Sequence, residues 1–394
     1  MSQSDPVVIV GLARTPMAVF QGAFSSVSAP DLGAVAVKGA LDESGVASDD
    51  IEQIIMGCVL PAGQGQAPAR QAAIKAGLSK NCEATTVNKM CGSAMQAAIL
   101  AHDTIKAGSA DIIVAGGMEN MTAAPYILPK ARDGYRMGNG AVIDTMMHDG
   151  LTDAYEGGAM GVFADMIAAE YQFTREAQDA YAIESVARAQ RAAKAGDFER
   201  EITPVTVPNR KGDIVVSTDA GPEGARPEKI PSLRPVFSKE GTVTAANASS
   251  INDGAAALVM MRKSEAVKRG VKILAEVKAH AAHAHEPAYF TTAPVHAIQK
   301  CLKKTGWSKD EVDLWEINEA FAVVPMIAMQ ELGLDHDKVN VNGGACVLGH
   351  PIGASGARIM ATLIAAMEKR DVKKGIASLC IGGGEATAIA IERP

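Results

Sequence analysis

Apolar runs and helix-spaced apolar positions alternate through the first 120 residues. The pattern predicts strands at residues 6–10, 51–59 and 111–115, a helix that begins after Ser28, and a second helix at residues 91–107. Ser28 is the expected N-cap of the first helix, and Gly108 is the expected end of the second. Strands that alternate with helices predict a sheet covered by helices on its faces.

The last 120 residues show the same alternation. They predict strands at residues 273–277, 314–317 and 376–381, and helices at residues 293–304 and 353–369. The segment 114–119 (VAGGME) parallels the segment 380–385 (CIGGGE), and each follows a long helix that itself follows a Val-Asn pair. We interpret the two regions as two copies of one α/β unit.

Residues 121–248 differ from both flanking regions because they are rich in methionine and charge. One helix is predicted there, from Thr174 to Ala195, with Gly196 at its end. Prolines divide the remainder into loops. A loop-rich insertion between two similar halves predicts a lid or a ligand-binding wall over their shared surface.

Composition and charge narrow the possible functions. A chain of 394 residues with 47% hydrophobic and 21% charged residues predicts a globular protein of two or three domains. The net charge of −7 and the aromatic content of 4% argue against nucleic acid and anionic membranes as partners. The polar first residues are followed by an apolar run that is too short for an export signal. The six cysteines are scattered and include no CxxC pair, which is typical of proteins in a reducing compartment. We therefore expect a cytoplasmic protein.

Cys91 is the candidate nucleophile. It lies between a predicted strand and a predicted helix, among small residues, where the positive end of the helix dipole favours a thiolate. A buried packing cysteine is the alternative, but the context favours chemistry. His350 lies between Gly349 and Pro351, on a rigid turn that can direct an imidazole at a thiol as a general base.

Two further candidates lie at predicted strand ends. Cys380 precedes three glycines, where a thiol could act as an acid or a base beside exposed backbone N–H groups, although a core role is the simpler interpretation of this cysteine alone. Asn318 follows the strand at residues 314–317, at the edge where α/β sheets bind ligands. Its alternative role is to cap a helix.

The histidine cluster at His280, His283 and His285 predicts a solvated strand end rather than a metal site, because few suitable cysteine or carboxylate partners lie nearby. We therefore expect no bound metal. The cysteines at positions 58, 82 and 301 are predicted to be structural.

Five motifs together resemble the thiolase family. In chain order they are residues 88–93 (NKMCGS), 247–256 (NASSINDGAA), 318–321 (NEAF), 349–353 (GHPIG) and 380–384 (CIGGG). Their order and their spread over nearly the whole chain argue strongly against chance agreement. Within the family, the chain most resembles the biosynthetic-type acetyl-CoA acetyltransferases.

The resemblance implies the thiolase fold, an α/β architecture of two similar halves in a layered α-β-α-β-α arrangement. Each half would contain a mixed five-stranded sheet, with two helices packed between the sheets. The implied domains are residues 1–120 with 249–270, an inserted loop domain at 121–248 for CoA, lid and oligomer contacts, and residues 271–394. The resemblance also implies a homo-oligomer, either a dimer or a tetramer of tight dimers.

The resemblance further implies a reversible Claisen condensation of two acetyl-CoA to acetoacetyl-CoA and CoA. Cys91 would attack the first thioester while His350 takes its proton, and Cys380 would deprotonate the second acetyl-CoA. One oxyanion site would involve His350 and a water held by Asn318. The other would use the backbone N–H groups of Cys91 and Gly382. Coenzyme A would be substrate and product, with no other cofactor.

Four residues match positions that contact CoA in the family: Leu151, Met160, Phe237 and Ser249. Ala245, Phe290 and Phe321 are further candidates for acyl-CoA contacts. The chain departs from the family pattern in this region. Residues 158–161 read GAMG where the family carries His-Met-Gly, so a histidine on the pantetheine side is missing. Pro222 falls where an arginine commonly lies near the CoA adenine, and Arg226 is a candidate substitute. Phe290 stands in a segment that is usually Met-Gly-x-Gly-Pro and would reshape the acyl pocket.

Three alternatives stay open at this stage. A degradative 3-ketoacyl-CoA thiolase for longer or branched chains would use the same residues with a different pocket. A ketoacyl synthase-like enzyme would carry a second histidine or an asparagine, and Cys380 in that place argues against it. A non-catalytic acyl-CoA-binding relative would have no reason to retain all four candidate catalytic side chains.

Overall fold

The computed structural model describes residues 5–394, which form fourteen β-strands and eleven α-helices. The strands are β1 Val7–Arg14, β2 Ala18–Val19, β3 Gln53–Gly57, β4 Glu83–Val87, β5 Ile112–Asn120, β6 Tyr126–Ile127, β7 Ile143–Asp144, β8 Val205–Val207, β9 Ile214–Val216, β10 Asn252–Arg262, β11 Ala275–Ala284, β12 Leu314–Ile317, β13 Lys374–Ile381 and β14 Glu385–Glu392. The helices are α1 Ala29–Ser44, α2 Pro68–Lys75, α3 Ser93–Ala107, α4 Met160–Glu170, α5 Arg175–Lys194, α6 Ala220–Gly224, α7 Lys263–Arg269, α8 Ala293–Thr305, α9 Val323–Leu332, α10 Ala345–Leu348 and α11 Ser355–Arg370.

The two halves repeat one strand arrangement. In the N-terminal half, β3 is parallel to β4 and β5, and β10 is antiparallel to β5 and β1. In the C-terminal half, β13 is parallel to β12, and β14 is antiparallel to β13 and β11. A parallel bridge between Trp315 and Val339 takes the place of the fifth strand there. The internal repeat predicted from short sequence matches is therefore confirmed.

The strands of the two halves form one continuous sheet in the order β12-β13-β14-β11-β1-β10-β5-β3-β4, rather than two separate ones, while β6–β7 and β8–β9 form two small sheets of their own. The halves join where Val8 and Ile9 of β1 pair with Glu276 and Ala275 of β11. Each half would otherwise leave an edge strand with unpaired backbone groups, and this short pairing satisfies part of both edges.

Helices α3 and α11 form the middle layer. They pack on each other and bury the inner faces of strands from both halves in one apolar core. Helices α1 and α2 cover the outer face of the N-terminal half, and α8 and α9 cover that of the C-terminal half. The layers therefore alternate helix, sheet, helix, sheet, helix, as the family resemblance implied.

Glycines let the two central helices meet at their N-terminal ends. A Cβ atom on Gly356, the second residue of α11, would overlap the backbone nitrogen of Met95 in the first turn of α3. A Cβ atom on Gly117 of β5 would overlap the carbonyl oxygen of Gly353, just before α11. Both helix starts are thus held against the ends of the N-terminal strands.

Most predicted elements are confirmed, with specific exceptions. The Ser28 cap, the left-handed Gly108 at the end of α3, and the helix capped by Thr174 are all present. The prediction that the strand at 111–115 ends before Gly116 was wrong, because β5 continues to Asn120. Gly116 lies inside the sheet opposite Ala257, where a Cβ atom would overlap the Ala256 carbonyl oxygen of the neighbouring strand. Strands β10 and β14, helices α2, α4, α7 and α9, and the short elements β2, β6–β9, α6 and α10 were missed.

None of the helices within residues 5–394 combines the length and the apolar character needed to cross a membrane.

We predict that Gly356→Ala destabilises the protein by about 1–3 kcal/mol, because the added methyl group forces α3 and α11 apart. Gly224→Ala is the matched control, since an added Cβ there meets no atom within 4 Å. Thermal unfolding followed by circular dichroism should show a lower Tm for Gly356→Ala alone. Equal Tm values for the two variants would contradict the close-contact interpretation.

Candidate active site

A pocket of about 870 Å³ opens where the central helices begin. It brings together nine of the residues predicted from the sequence: Cys91, Leu151, Met160, Ser249, Phe290, Phe321, His350, Cys380 and Gly382. Three predicted residues lie outside its lining. Asn318 is buried behind His350, Phe237 packs edge-to-face on Phe321 with ring centroids 6.1 Å apart, and Ala245 is exposed.

Cys91 lies on a tight turn between β4 and α3. Met90 before it adopts a left-handed φ of 46°, which is strained for a residue with a side chain. The Ser93 hydroxyl holds the turn, since it accepts from the Lys89 N–H at 2.8 Å and donates to the Met90 carbonyl at 2.7 Å. This turn presents the sulfur of Cys91 to the pocket.

Burial decides the protonation state of Cys91. It raises the thiol pKa to about 11, although backbone N–H groups of Gly382 and Cys91 lower it in part. The sequence argument that the helix dipole favours a thiolate was therefore incomplete, because desolvation outweighs the dipole here. The resting side chain is a thiol, and its use as a nucleophile requires a nearby base.

His350 provides that base. Its Nδ1 is 2.5 Å from the Ser355 hydroxyl, which donates its own proton to the Pro351 carbonyl at 2.9 Å. The Ser355 oxygen must then accept from Nδ1–H, so Nε2 carries the lone pair. Nε2 is buried and has no hydrogen-bond partner among residues 5–394. Burial, with a contribution from Arg358, lowers the His350 pKa to about 3, so the imidazole is neutral.

Asn318 connects His350 to a buried polar cluster. Its amide nitrogen lies 3.5 Å from His350 Nδ1, which is a packing contact rather than a hydrogen bond because Nδ1 carries a proton, and its amide oxygen accepts from the Arg358 guanidinium at 3.5 Å. Arg358 lies 3.9 Å from Glu316, and burial raises the Glu316 pKa to about 8. The backbone N–H of Asn318 donates to the Ser378 carbonyl at 3.0 Å, which ties this residue to β13. The asparagine is therefore held in place from several directions.

Cys380 faces the same pocket from the C-terminal half. It is the penultimate residue of β13, next to the glycine turn, and it is 1% exposed. Burial and the nearby Cys91 sulfur raise the pKa of its thiol well above the usual value. Cys380 therefore rests as a thiol and can donate a proton before it acts as a base.

Glu119 and Glu385 each bind a loop that belongs to the other half of the molecule. Neither glutamate was assigned a role from the sequence. Glu119, at the end of β5, accepts backbone N–H groups of Val59 at 2.9 Å and Gly353 at 2.9 Å. Burial raises its pKa to about 7. Glu385, at the start of β14, pairs with Lys89, close to the nucleophile. The signal was present in the sequence, because these two residues end the repeated segments 114–119 and 380–385.

The insertion forms a wall of the pocket, as the sequence predicted, but most of the residues in that wall were missed. Residues 148–155 and Gly157 form one side of the pocket, beginning in a π-helical turn at Met146–Leu151. Only Leu151 was predicted there, since the segment carries no recognisable motif. His148 lies on this wall, so the pocket contains a histidine on the insertion side despite the Gly-Ala-Met-Gly sequence at 158–161.

The comparisons with known proteins agree over the whole chain. The family models Thiolase, N-terminal domain, and Thiolase, C-terminal domain, match residues 7–264 and 271–393. An acetyl-CoA acetyltransferase of Cupriavidus necator is 51% identical, covering 98% of this chain and 99% of that protein. One from Chromobacterium violaceum is 50% identical, covering 98% and 100%. A probable acetyl-CoA acetyltransferase of Escherichia coli is 47% identical, covering 98% and 99%.

We predict that alkylation of Cys91 by iodoacetamide accelerates steadily with pH, by about tenfold per unit between pH 7 and 10, because only the thiolate reacts. Its pKa of about 11 places the plateau above this range. The rate of Cys91 alkylation would be measured by peptide mapping in the Cys380→Ser variant, which removes the second thiol of the pocket. A rate that levels off near pH 7 would mean that Cys91 rests as a thiolate.

Proposed function

This chain belongs to the thiolase family, and we propose that it catalyses the reversible condensation of two acetyl-CoA molecules to acetoacetyl-CoA and CoA. The observation that carries the proposal is the meeting of two thiols and one imidazole in a single pocket. Cys91 comes from the N-terminal half, while Cys380 and His350 come from the C-terminal half. A thioester-forming nucleophile and a separate base for carbon acid chemistry are the two groups that this reaction needs.

In the first half-reaction, Cys91 transfers its proton to Nε2 of His350 as its sulfur attacks the thioester carbonyl. The transfer accompanies the attack, because the pKa values of about 11 and about 3 disfavour a resting ion pair. The bond between the acyl carbon and the CoA sulfur then breaks. Cys380 gives its proton to that sulfur, so free CoA leaves with acetyl-Cys91, protonated His350 and a Cys380 thiolate behind it.

In the second half-reaction, the Cys380 thiolate removes a proton from the methyl group of a second acetyl-CoA. The resulting carbanion attacks the carbonyl carbon of acetyl-Cys91, which forms the new carbon–carbon bond. The bond to the Cys91 sulfur breaks, and this sulfur recovers a proton from His350. All three side chains return to their resting states, so the cycle balances.

We propose that two sites stabilise the oxyanions. The backbone N–H groups of Cys91 and Gly382, which both point at the reactive sulfur, would hold the oxygen of the acetyl group on Cys91. His350, once protonated, would donate from Nε2 to the thioester oxygen of acyl-CoA, together with a water held by Asn318.

The acetyl preference is supported by the names of the relatives and by Phe290. This side chain lines the pocket, is 3% exposed and packs edge-to-face on Phe321 with ring centroids 6.1 Å apart. A ring fixed in this way limits the space beyond a short acyl chain. The remaining acyl-CoA contacts are assigned to Leu151, Met160 and Ser249 in the pocket, with Phe237 and Ala245 nearby.

We further infer that the protein works as a cytoplasmic homo-oligomer with coenzyme A as substrate and product, and no other cofactor. Exposed apolar side chains in the insertion, such as Leu128, Met137 and Val142, support a subunit contact there. All six cysteines are unpaired, which fits a reducing compartment.

We predict that Cys91→Ala abolishes both cleavage and synthesis, because no acyl-enzyme can form. Cys380→Ser should release one equivalent of CoA from acetyl-CoA, with solvent water protonating the leaving thiolate in place of Cys380, and then stop, because the serine hydroxyl is too weak an acid to form the anion that deprotonates the second acetyl-CoA. Cys82→Ala, which changes a buried thiol outside the pocket, should retain activity. CoA release and acetoacetyl-CoA formation would be measured side by side. Normal condensation by Cys380→Ser would require a different base.

We predict that the wild-type protein cleaves acetoacetyl-CoA in preference to 3-ketohexanoyl-CoA and 2-methylacetoacetyl-CoA. Phe290→Leu should lower the ratio of kcat/KM for acetoacetyl-CoA to kcat/KM for the larger substrates by about tenfold. A hydrophobic pocket distinguishes substrates that differ by one methylene group by a factor of about this size. Phe198→Leu, which changes a buried ring outside the pocket, is the control. Comparable wild-type rates on all three substrates would indicate a broad-range degradative enzyme instead.

A further inference from the structure

Three histidines cluster on the C-terminal half, between the end of β11 and the start of α8. His283 lies in β11, His285 directly follows this strand, and His296 lies in the first turn of α8. The ring centroids are 4.4 Å apart for His283 and His296, 5.0 Å apart for His283 and His285, and 5.7 Å apart for His285 and His296. One ring nitrogen of each histidine lies within 4.8 Å of the other two.

The fold divides the histidine cluster that the sequence suggested. His280 and His283 are three residues apart on one strand, so they face opposite sides of the sheet. His280 hydrogen-bonds Asp103 at 2.9 Å, beside His102. The third member of the other group, His296, comes from a helix and was not associated with His283 in the sequence analysis.

The ring nitrogens of this cluster are available as ligands. Both nitrogens of His283 are buried and have no hydrogen-bond partner among residues 5–394. Nε2 of His285 is 2.9 Å from the Tyr289 carbonyl oxygen, which can only accept, so Nε2 carries the proton and Nδ1 carries the lone pair. A hydrogen bond from the second ring nitrogen to a backbone carbonyl is typical of histidines that bind metals.

We propose that His283, His285 and His296 form a binding site for one divalent transition-metal ion. Neutral imidazole suits zinc, nickel, copper and cobalt, and three histidines with a water complete a tetrahedral shell. Metal–nitrogen bonds of about 2.0–2.1 Å require the three nitrogens to approach one another, and the exposed His296 can rotate to allow this.

Burial and a neighbouring ammonium group keep the His283 imidazole neutral. Burial, with contributions from His296 and Lys300, lowers the pKa of His283 to about 4. The Lys300 ammonium group is held by the Ala282 carbonyl at 2.9 Å. Its charge weakens cation binding, so we expect a moderate rather than a very tight site.

The proposed site lies behind the wall of the active-site pocket. The His285 N–H donates to the Gly384 carbonyl at 2.9 Å, and the neighbouring Gly383 lines the pocket. The loop between His285 and α8 carries Phe290. A bound ion would therefore tie this loop to both β11 and α8.

The test is a titration of the metal-free full-length protein with Co²⁺, followed by near-ultraviolet and visible absorption. We expect saturable binding of one equivalent, with no thiolate-to-cobalt charge-transfer band, which distinguishes the histidines from the pocket cysteines. His296→Ala, at an exposed position, should weaken binding at least tenfold. His280→Ala is the matched control and should leave the affinity unchanged. Retained acyl-CoA cleavage activity would verify that both variants fold.

Three results would overturn the proposal. Absence of saturable Co²⁺ binding would leave the three rings as an aromatic packing cluster. Equal loss of affinity in His280→Ala and His296→Ala would assign binding to the group around Asp103, or to no single cluster. A thiolate charge-transfer band that accounts for the bound cobalt would place the ion at a cysteine.

Discussion

The close approach of the two central helices is the constraint on which the rest of the molecule depends. Gly356 of α11 packs directly on the backbone of α3 at Met95, and Gly117 accommodates the chain at Gly353. Cys91 and His350 each lie just before one of these helices. Any separation of the helix starts would move the thiol away from its base, so packing of small residues in the core sets the reactive geometry.

The internal repeat explains how each half supports the chemistry of the other. Glu119 of the N-terminal half binds the backbone of Gly353, beside His350, and Glu385 of the C-terminal half pairs with Lys89, beside Cys91. The two glutamates occupy corresponding positions in the two repeats, and each one binds a loop of the other repeat. One strand arrangement, used twice, provides a nucleophile at one helix start, a base at the other, and a bridge between the two loops.

The sequence predicted those elements whose local signals agree with the final packing. Ser28, Thr174 and Gly108 mark helix ends because capping acts within a few residues. Strands β10 and β14 were missed because they are buried and rich in alanine, so they show no period-two pattern. The motifs predicted which chemical groups meet in the pocket. They could not predict the protonated state of Cys91, because burial arises from chain segments distant in sequence. The insertion was predicted to form a wall, but of the residues at 148–157 only Leu151 was identified, because the segment carries no motif.

The proposed mechanism requires the Cys91 sulfur to carry the acyl group between two substrates. Peptide mass spectrometry after brief incubation with isotopically labelled acetyl-CoA and acid quenching would detect this intermediate. We predict one labelled acetyl group per chain, on the peptide that contains Cys91, and its loss when unlabelled CoA is added. Label on another cysteine, or turnover without any labelled peptide, would contradict it.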